Sequence, residues 1–337
     1  MAPLLQVEDL SVTVPGPGGP ITVVDGISFS VEQGEIFGIA GESGSGKTMA
    51  TLALLRLLPR GAEVTGRALF AGTDLLHLSN RALRARRGND LSMIFQDPMT
   101  SLHPMLSIGH QMTDHLRSHL KMGRKAGRTR AIELLENVRI PDPERALSSY
   151  PHQFSGGMRQ RIAIAIALAC HPSLLVADEP TTALDVTVQA GLIEQLGRLR
   201  REHGLAVVLI THDLGVMATI ADRLTVFYAG RVVESGTARE VILHPRHPYT
   251  RGLLDALPQS TAAERRPLIP IPGNPATPQE RPSGCAFHTR CSSTRETCAT
   301  LVPPLVDVQD GHLLACPVDP LRADLIDESG GGAVLTR

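Results

Sequence analysis

The chain has 337 residues, enough for two domains or for one large domain with an extension. It is 42% hydrophobic and 20% charged, as in a soluble globular protein, and its formal net charge of −1 argues against nucleic acid as the main ligand. No apolar run reaches the ~18 residues of a membrane span, and the opening "MAPLLQVEDLSV" lacks the basic-then-apolar order of a secretory signal, so the chain is expected in the cytosol, where disulfides are rare.

Apolar, β-rich runs recur along the chain: "ITVVDGISFSV", "EIFGIA", "LSMIFQ", "LLVAD", "AVVLIT" and "RLTVFYAGRVVE". Helix-like segments such as "TMATLALLRLL" and "TVQAGLIEQLGRLRREH" lie between several of them. This alternation predicts an α/β fold around a largely parallel sheet.

"GESGSGKT", Gly41 to Thr48, follows the strand "EIFGIA", opens a helix-like run and fits G-x-x-x-x-G-K-[ST] at every fixed position. Gly41, Gly44 and Gly46 let the backbone curl so that its N–H groups, with Ser43 and Ser45, surround phosphate oxygens at a helix N-terminus. Lys47 is expected at the β/γ-phosphates of a nucleotide and Thr48 on Mg²⁺. From about residue 97 to 160 the chain is polar and helix-prone, with no convincing strand. It reads as a helical insertion, and its basic "KMGRKAGRTR" as a solvated helix face.

"QFSGGMRQRIAIAIALA" opens a second helix on a glycine-rich turn, where Ser155, Gly156 and Gly157 would present N–H groups and a hydroxyl to phosphate. "SLLVADEP" then carries Asp178 to the C-terminal end of an apolar strand, the usual place for ligands of an open α/β sheet. Asp178 is expected in the Mg²⁺ shell, and Glu179 as the residue that polarises the attacking water.

"QFSGGM" resembles the LSGGQ signature of ABC-transporter ATPases, with Phe154 and Met158 in place of its first and last residues. The other landmarks of that family follow in order: Gln96 in "IFQDP" resembles the Q-loop, "TTALD" (Thr181 to Asp185) the D-loop, and His212 in "LITHDLG" the switch histidine. The resemblance implies a P-loop NTPase (RecA-like) ABC ATPase core with an antiparallel β subdomain and a helical subdomain. It also implies ATP and Mg²⁺ sandwiched between two nucleotide-binding domains, the phosphate loop of one facing Ser155, Gly156 and Gly157 of the other. Asp185 would lie at this junction. Glu179 would act on water, His212 on the γ-phosphate, and Gln96 on Mg²⁺ and the transporter. Many family members stack adenine on an early aromatic residue; here Phe29 is the first and lies too near the phosphate loop, so aliphatic contacts such as Val14 or Val24 are expected instead.

Longer stretches, including "IFQDPMTSLHPMLSIGHQ", "ADEPTTALDVTVQ" and "HPRHPYTRGLLDALP", resemble ATP-binding subunits of oligopeptide/dipeptide (peptide/nickel) permeases. That resemblance implies two separate polytopic permease subunits, a second ATPase that is the same chain or a paralogue, and an extracytoplasmic peptide-binding protein. It places the chain peripherally on the cytoplasmic face of the membrane, powering import of short peptides. Import of nickel or another small solute is the alternative within the family, and a soluble mechanical ATPase acting on ribosomes or DNA the alternative outside it.

Residues 1–240 are expected to form the nucleotide-binding domain and 241–337 an irregular extension, because 13 of the 25 prolines lie in the last 97 residues. Four of the five cysteines, Cys285, Cys291, Cys298 and Cys316, fall in that extension, which by composition has little to build a core with. A four-thiolate metal site explains the clustering, since a metal organises a segment too small to fold by burial. The gaps lack the C-x₂₋₄-C pairs of structural zinc, and the "CP" at Cys316 echoes ferredoxin ligands; a [4Fe–4S] cluster is expected, a choice the permease resemblance also favours, with Zn²⁺ as the first alternative and four bare thiols as the second. His288 lies between two of the thiols and is not expected to replace one. Cys170 reads as a small buried residue.

Overall fold

A computed structural model describes residues 2–97, 101–180, 186–256 and 269–318, and the structural statements below concern these residues. The chain builds two sheets. A four-stranded antiparallel sheet runs β2-β1-β4-β5, from β1 (Leu5–Gly16), β2 (Gly19–Val31), β4 (Glu63–Phe70) and β5 (Thr73–Asp74). An eight-stranded sheet runs β11-β12-β10-β9-β3-β8-β7-β6. Its centre is parallel: β3 (Ile36–Ala40) lies beside β8 (Ala206–Ile210), β8 beside β7 (Leu174–Asp178), and β7 beside β6 (Leu91–Ile94). Every residue of β3, β7 and β8 is buried, as strands covered on both faces must be.

The two-residue period of these strands divides the core. Ile36, Leu175, Val207 and Leu209 face one apolar cluster, while Phe37, Ile39, Val176 and Val208 face the other. The second cluster is shared with the antiparallel sheet through Leu5, Val7, Leu10 and Val24. The first is shared with the helices between β6 and β7.

Helices α1 (Lys47–Leu54) and α2 (Asn80–Arg86) precede β6. Between β6 and β7 lie α3 (Ile108–Leu120), α4 (Arg124–Asn137), α5 (Pro143–Ala146) and α6 (Gly156–Ala167). Their starts follow the chemistry of helix caps: Ser107 and Ser155 accept from the backbone N–H three residues on, and Pro143 stands at the first position of α5 behind a capping Asp142. After β7 come α7 (Val186–His203), α8 (Leu214–Ile220) behind β8, the antiparallel pair β9 (Arg223–Tyr228) and β10 (Arg231–Thr237), α9 (Ala238–Leu243) and α10 (Pro248–Asp255).

The C-terminal segment is largely irregular, as expected, but the reading of it as core-poor is corrected. Strands β11 (Val306–Gln309) and β12 (His312–Leu314) extend the main sheet, β12 pairing with β10 through Glu234–Leu314 and Ser235–Leu313. Tyr249, Cys285, Phe287 and Cys298 are buried in the same apolar cluster as the parallel strands. A few aromatic residues suffice because each buries ~150–250 Å²: the Phe287 ring sits 5.2 Å from that of Tyr228 and 5.3 Å from that of Tyr249. Among the described residues no helix is long and apolar enough to cross a membrane.

Candidate functional site

The parallel strands end together, and the expected site residues follow their C-terminal ends. Gly41 follows β3, Gln96 lies two residues past β6, Asp178 closes β7, and His212 lies two residues past β8. Gly41, Gly44 and Gly46 all take positive φ, at 146°, 78° and 102°. A Cβ on Gly41 would stand 2.3 Å from the Phe227 carbonyl oxygen, and one on Gly46 2.7 Å from that of Val23, so the loop is pressed against β9 and β2. The Lys47 ammonium donates to the carbonyls of Gly41 and Glu42, both at 2.8 Å, and spans the loop. Burial pulls its pKa down, opposed by the carboxylates of Glu179, Asp178 and Glu42.

Asp178 is buried beside the Thr48 hydroxyl, which hydrogen-bonds to it. Burial raises its pKa, and the neighbouring Glu179 carboxylate adds to the rise, while Thr48 and Lys47 oppose it. Its Oδ1 atom is buried with no hydrogen-bond partner among the described residues. An orphaned carboxylate oxygen beside a hydroxyl is a hard-oxygen donor set, and it fits Mg²⁺. Glu179 next to it has φ 46°, a left-handed conformation that a non-glycine residue adopts at a cost. Its N–H donates to the Ile210 carbonyl at 2.9 Å. The Gln96 amide donates to Glu179 Oε2 at 3.1 Å, and His212 Nδ1 lies 3.4 Å from Oε1. Three residues drawn from three separate strand ends thus meet at one carboxylate.

Ser155 is exposed, and its hydroxyl caps α6 by accepting from the Met158 N–H at 3.3 Å. Helix α6 packs against α3, α4 and β6. Strand β6 stands three places from β3 in the sheet, roughly 14 Å away at the usual strand spacing. Gln160 of α6, four residues past Gly156, donates to the Pro180 carbonyl at 3.0 Å, two residues beyond Asp178. Residues 181–185, with Asp185, lie outside the described residues.

One sequence expectation about adenine changes. Val24 is fully buried under Gly46, so it supports the loop and is closed to a base. Phe29 is stacked on Phe37 at 5.1 Å. The residue missed altogether is Glu42, whose carboxylate is held by both terminal nitrogens of Arg290, at 2.6 and 3.1 Å. A carboxylate inside an anion-binding loop requires a cationic partner, and that signal was present in "GESGSGKT".

Cys285, Cys291, Cys298 and Cys316 come into one neighbourhood: each pair is near enough for one thiolate to raise the pKa of another. Burial is the larger cause and pushes Cys316 up to about 12. Backbone N–H groups of Phe287, Ser293 and Val318, each two residues past a cysteine, hydrogen-bond to the sulfurs of Cys285, Cys291 and Cys316, and that of Arg295 to Cys298 at 3.4 Å. Among the described residues, however, no three His, Cys, Asp or Glu side chains are disposed to hold a metal ion. The thiols share a site without forming the tight tetrahedron that Zn²⁺ needs. Cys170 is buried, and desolvation raises its thiol to about 11, in keeping with an inert packing residue.

Residues 24–182 match the family described as ABC transporter, and residues 233–298 match the one described as oligopeptide/dipeptide transporter, C-terminal region. The chain is 46% identical to the oligopeptide transport ATP-binding protein OppD of Haemophilus influenzae, over 94% of this chain and 97% of that protein. It is also 46% identical to the dipeptide transport ATP-binding protein DppD of Bacillus subtilis, over 96% of this chain and 97% of that protein. Among solved structures, the ATP-binding cassette MJ0796 bound to ADP and Pi superposes with a TM-score of 0.64 at 28% identity, covering 70% of this chain and 99% of that one. A likeness that spans both the cassette and the C-terminal region places the chain: it belongs to the ABC transporter ATP-binding proteins, in the branch that carries the oligopeptide/dipeptide transporter C-terminal region.

Proposed function

We propose that this chain is the ATP-hydrolysing subunit of an importer of oligopeptides or dipeptides. The observation that carries the reading is the meeting of Gln96 and His212 on Glu179, beside Lys47, Thr48 and Asp178. In this reading the loop from Gly41 to Thr48, with Gly44, Ser45 and Gly46 at its turn and Ser43 at its mouth, wraps the phosphates, and Lys47 holds the β/γ pair. Mg²⁺, held by Thr48, Asp178 and Gln96, supplies positive charge against the phosphate oxygens. Glu179 orients the attacking water and takes its proton, and His212 holds the γ-phosphate beside it. Ser155, Gly156 and Gly157 of a second cassette close the other side in this reading, and Asp185 is proposed for that junction.

The proposed assembly has two polytopic permease subunits, a second ATPase subunit and an extracytoplasmic binding protein, with this chain peripheral on the cytoplasmic face. Residues 1–240 act as the cassette and 241–337 as a docked extension. Co-expression with the membrane proteins encoded by its neighbouring genes tests the assembly. The expected result is co-purification and ATP-dependent accumulation of labelled short peptides in vesicles. Co-sedimentation with ribosomes in place of a membrane partner would refute it.

The four thiols, three buried and Cys291 half-buried, with backbone donors on each sulfur, support a cysteine-ligated [4Fe–4S] cluster held by Cys285, Cys291, Cys298 and Cys316. Such a group would staple the extension. Protein purified without oxygen should be brown and contain iron and sulfide; colourless protein with stoichiometric zinc would overturn the assignment.

A further inference from the structure

The extension reaches the phosphate loop directly. Glu42, the second residue of that loop, has its polar groups engaged from both sides. Its backbone N–H donates to the Tyr249 hydroxyl at 2.8 Å, its carbonyl accepts from Lys47 at 2.8 Å, and its carboxylate receives the Arg290 fork at 2.6 and 3.1 Å. Arg290 is itself fixed. Its side chain is 3% exposed, its Nε donates to the Pro272 carbonyl at 2.8 Å, and its guanidinium lies 6.0 Å from the Tyr228 ring and 5.9 Å from that of Phe287. A bidentate arginine held by packing and a backbone carbonyl sets both the direction and the position of the carboxylate it grips.

A second anchor from the extension lies under the other end of the loop. Arg281 donates to Asp25 at 2.7 Å and to the Thr22 carbonyl at 2.9 Å, bracketing Val23, whose carbonyl lies against Gly46. Arg290 stands in the turn His288–Arg290, directly before Cys291 and five residues after Cys285. The Cys285 carbonyl accepts from the His288 N–H at 2.9 Å, and the Phe287 carbonyl from the Arg290 N–H at 3.0 Å. The turn that presents the arginine therefore hangs from the thiol-bearing segment.

We propose that Arg290 is a positioning residue for the phosphate-binding loop: by clamping Glu42 it aims the loop at the nucleotide and makes ATP affinity depend on the fold of the thiol-bearing extension. The inference rests on reading Gly41 to Thr48 as the nucleotide loop, and it is independent of which group the thiols take. Removing Arg290 leaves the Glu42 carboxylate uncompensated where triphosphate charge must enter, and frees the loop to turn. Neither effect touches Glu179, Gln96 or His212, so the change belongs in binding and not in turnover at saturation.

The test is MgATP binding and hydrolysis by the purified full chain carrying Arg290→Met, Glu42→Gln or both. Loss of a charged bidentate contact should raise Kd and KM for MgATP about tenfold or more in Arg290→Met, with kcat at saturation within about twofold. In the Glu42→Gln background the same arginine change should alter Kd by less than about twofold, because the partner is already gone. An arginine effect equally large without the carboxylate, or a Kd unchanged in Arg290→Met, would overturn the proposal. Should Arg290→Met fail to fold, Glu42→Asp, which leaves the extension intact and shortens the carboxylate out of the fork, carries the test: weaker MgATP binding supports the clamp and unchanged affinity overturns it. Failure of the wild-type chain to bind MgATP at all would instead refute the nucleotide reading of the loop.

Discussion

Glu179→Gln separates the chemistry from the binding. Glutamine matches glutamate in shape and reaches the same left-handed backbone at φ 46°, so the fold and the 2.9 Å bond from its N–H to the Ile210 carbonyl should survive. Gln96 and His212 now address Glu179 through Oε2 at 3.1 Å and Oε1 at 3.4 Å; an amide at that position cannot accept a proton from water. General-base catalysis is worth about 10²–10⁴-fold, or roughly 3–5 kcal/mol of activation free energy, and kcat should fall by that factor. Binding should hold or tighten, because Lys47 and the loop are untouched and a negative charge beside the phosphates is gone. Phosphate release under saturating MgATP measures the first quantity, and equilibrium titration with MgATP the second. A kcat within about threefold of wild type would refute the role of Glu179 as base. A Kd weakened more than about tenfold would show that this carboxylate belongs to the cradle.

Three further expectations follow from particular contacts. Gly41→Ala forces a Cβ to within 2.3 Å of the Phe227 carbonyl at φ 146°, and overlap plus strain should cost roughly 3 kcal/mol or displace the loop, read as a lower melting temperature together with lost MgATP binding. Phe287→Ala empties the junction among Tyr228, Tyr249 and Arg290 and should cost about 3–5 kcal/mol in chemical denaturation; a loss below about 1 kcal/mol would mean the extension is not packed there. Burial pushes His247 down to about 4, against about 6.5 in an unfolded chain, and its Nδ1 accepts from the Tyr249 N–H at 3.1 Å. The unfolded chain takes the proton first, so this contribution is full above about pH 6.5 and is lost as pH falls toward 4, by up to ~3 kcal/mol. In His247→Asn that pH dependence should flatten between 6.5 and 4, measured as stability against pH.

The sequence by itself determined the α/β class and most of the nucleotide site. Gly41 to Thr48 carries its own meaning because a backbone that curls around phosphate needs those glycines, a lysine and a hydroxyl in consecutive positions, and each requirement is local. Asp178 and Glu179 could be read in the same way, as carboxylates ending an apolar strand. Tertiary structure decided what depends on elements distant in the chain. Gln96, Glu179 and His212 became one group only through the order β8-β7-β6, which sets three strand ends side by side. Val24 could not be known as buried support for Gly46 until β2 lay beneath the loop. The extension read as core-poor because proline counts report on local backbone and not on where three aromatic rings gather. Glu42 and Arg290 stand 248 residues apart, and their pairing needs the whole sheet to be folded first. Local backbone chemistry is written in neighbouring residues, whereas a salt bridge across the fold is fixed only by the packing that brings its two ends together.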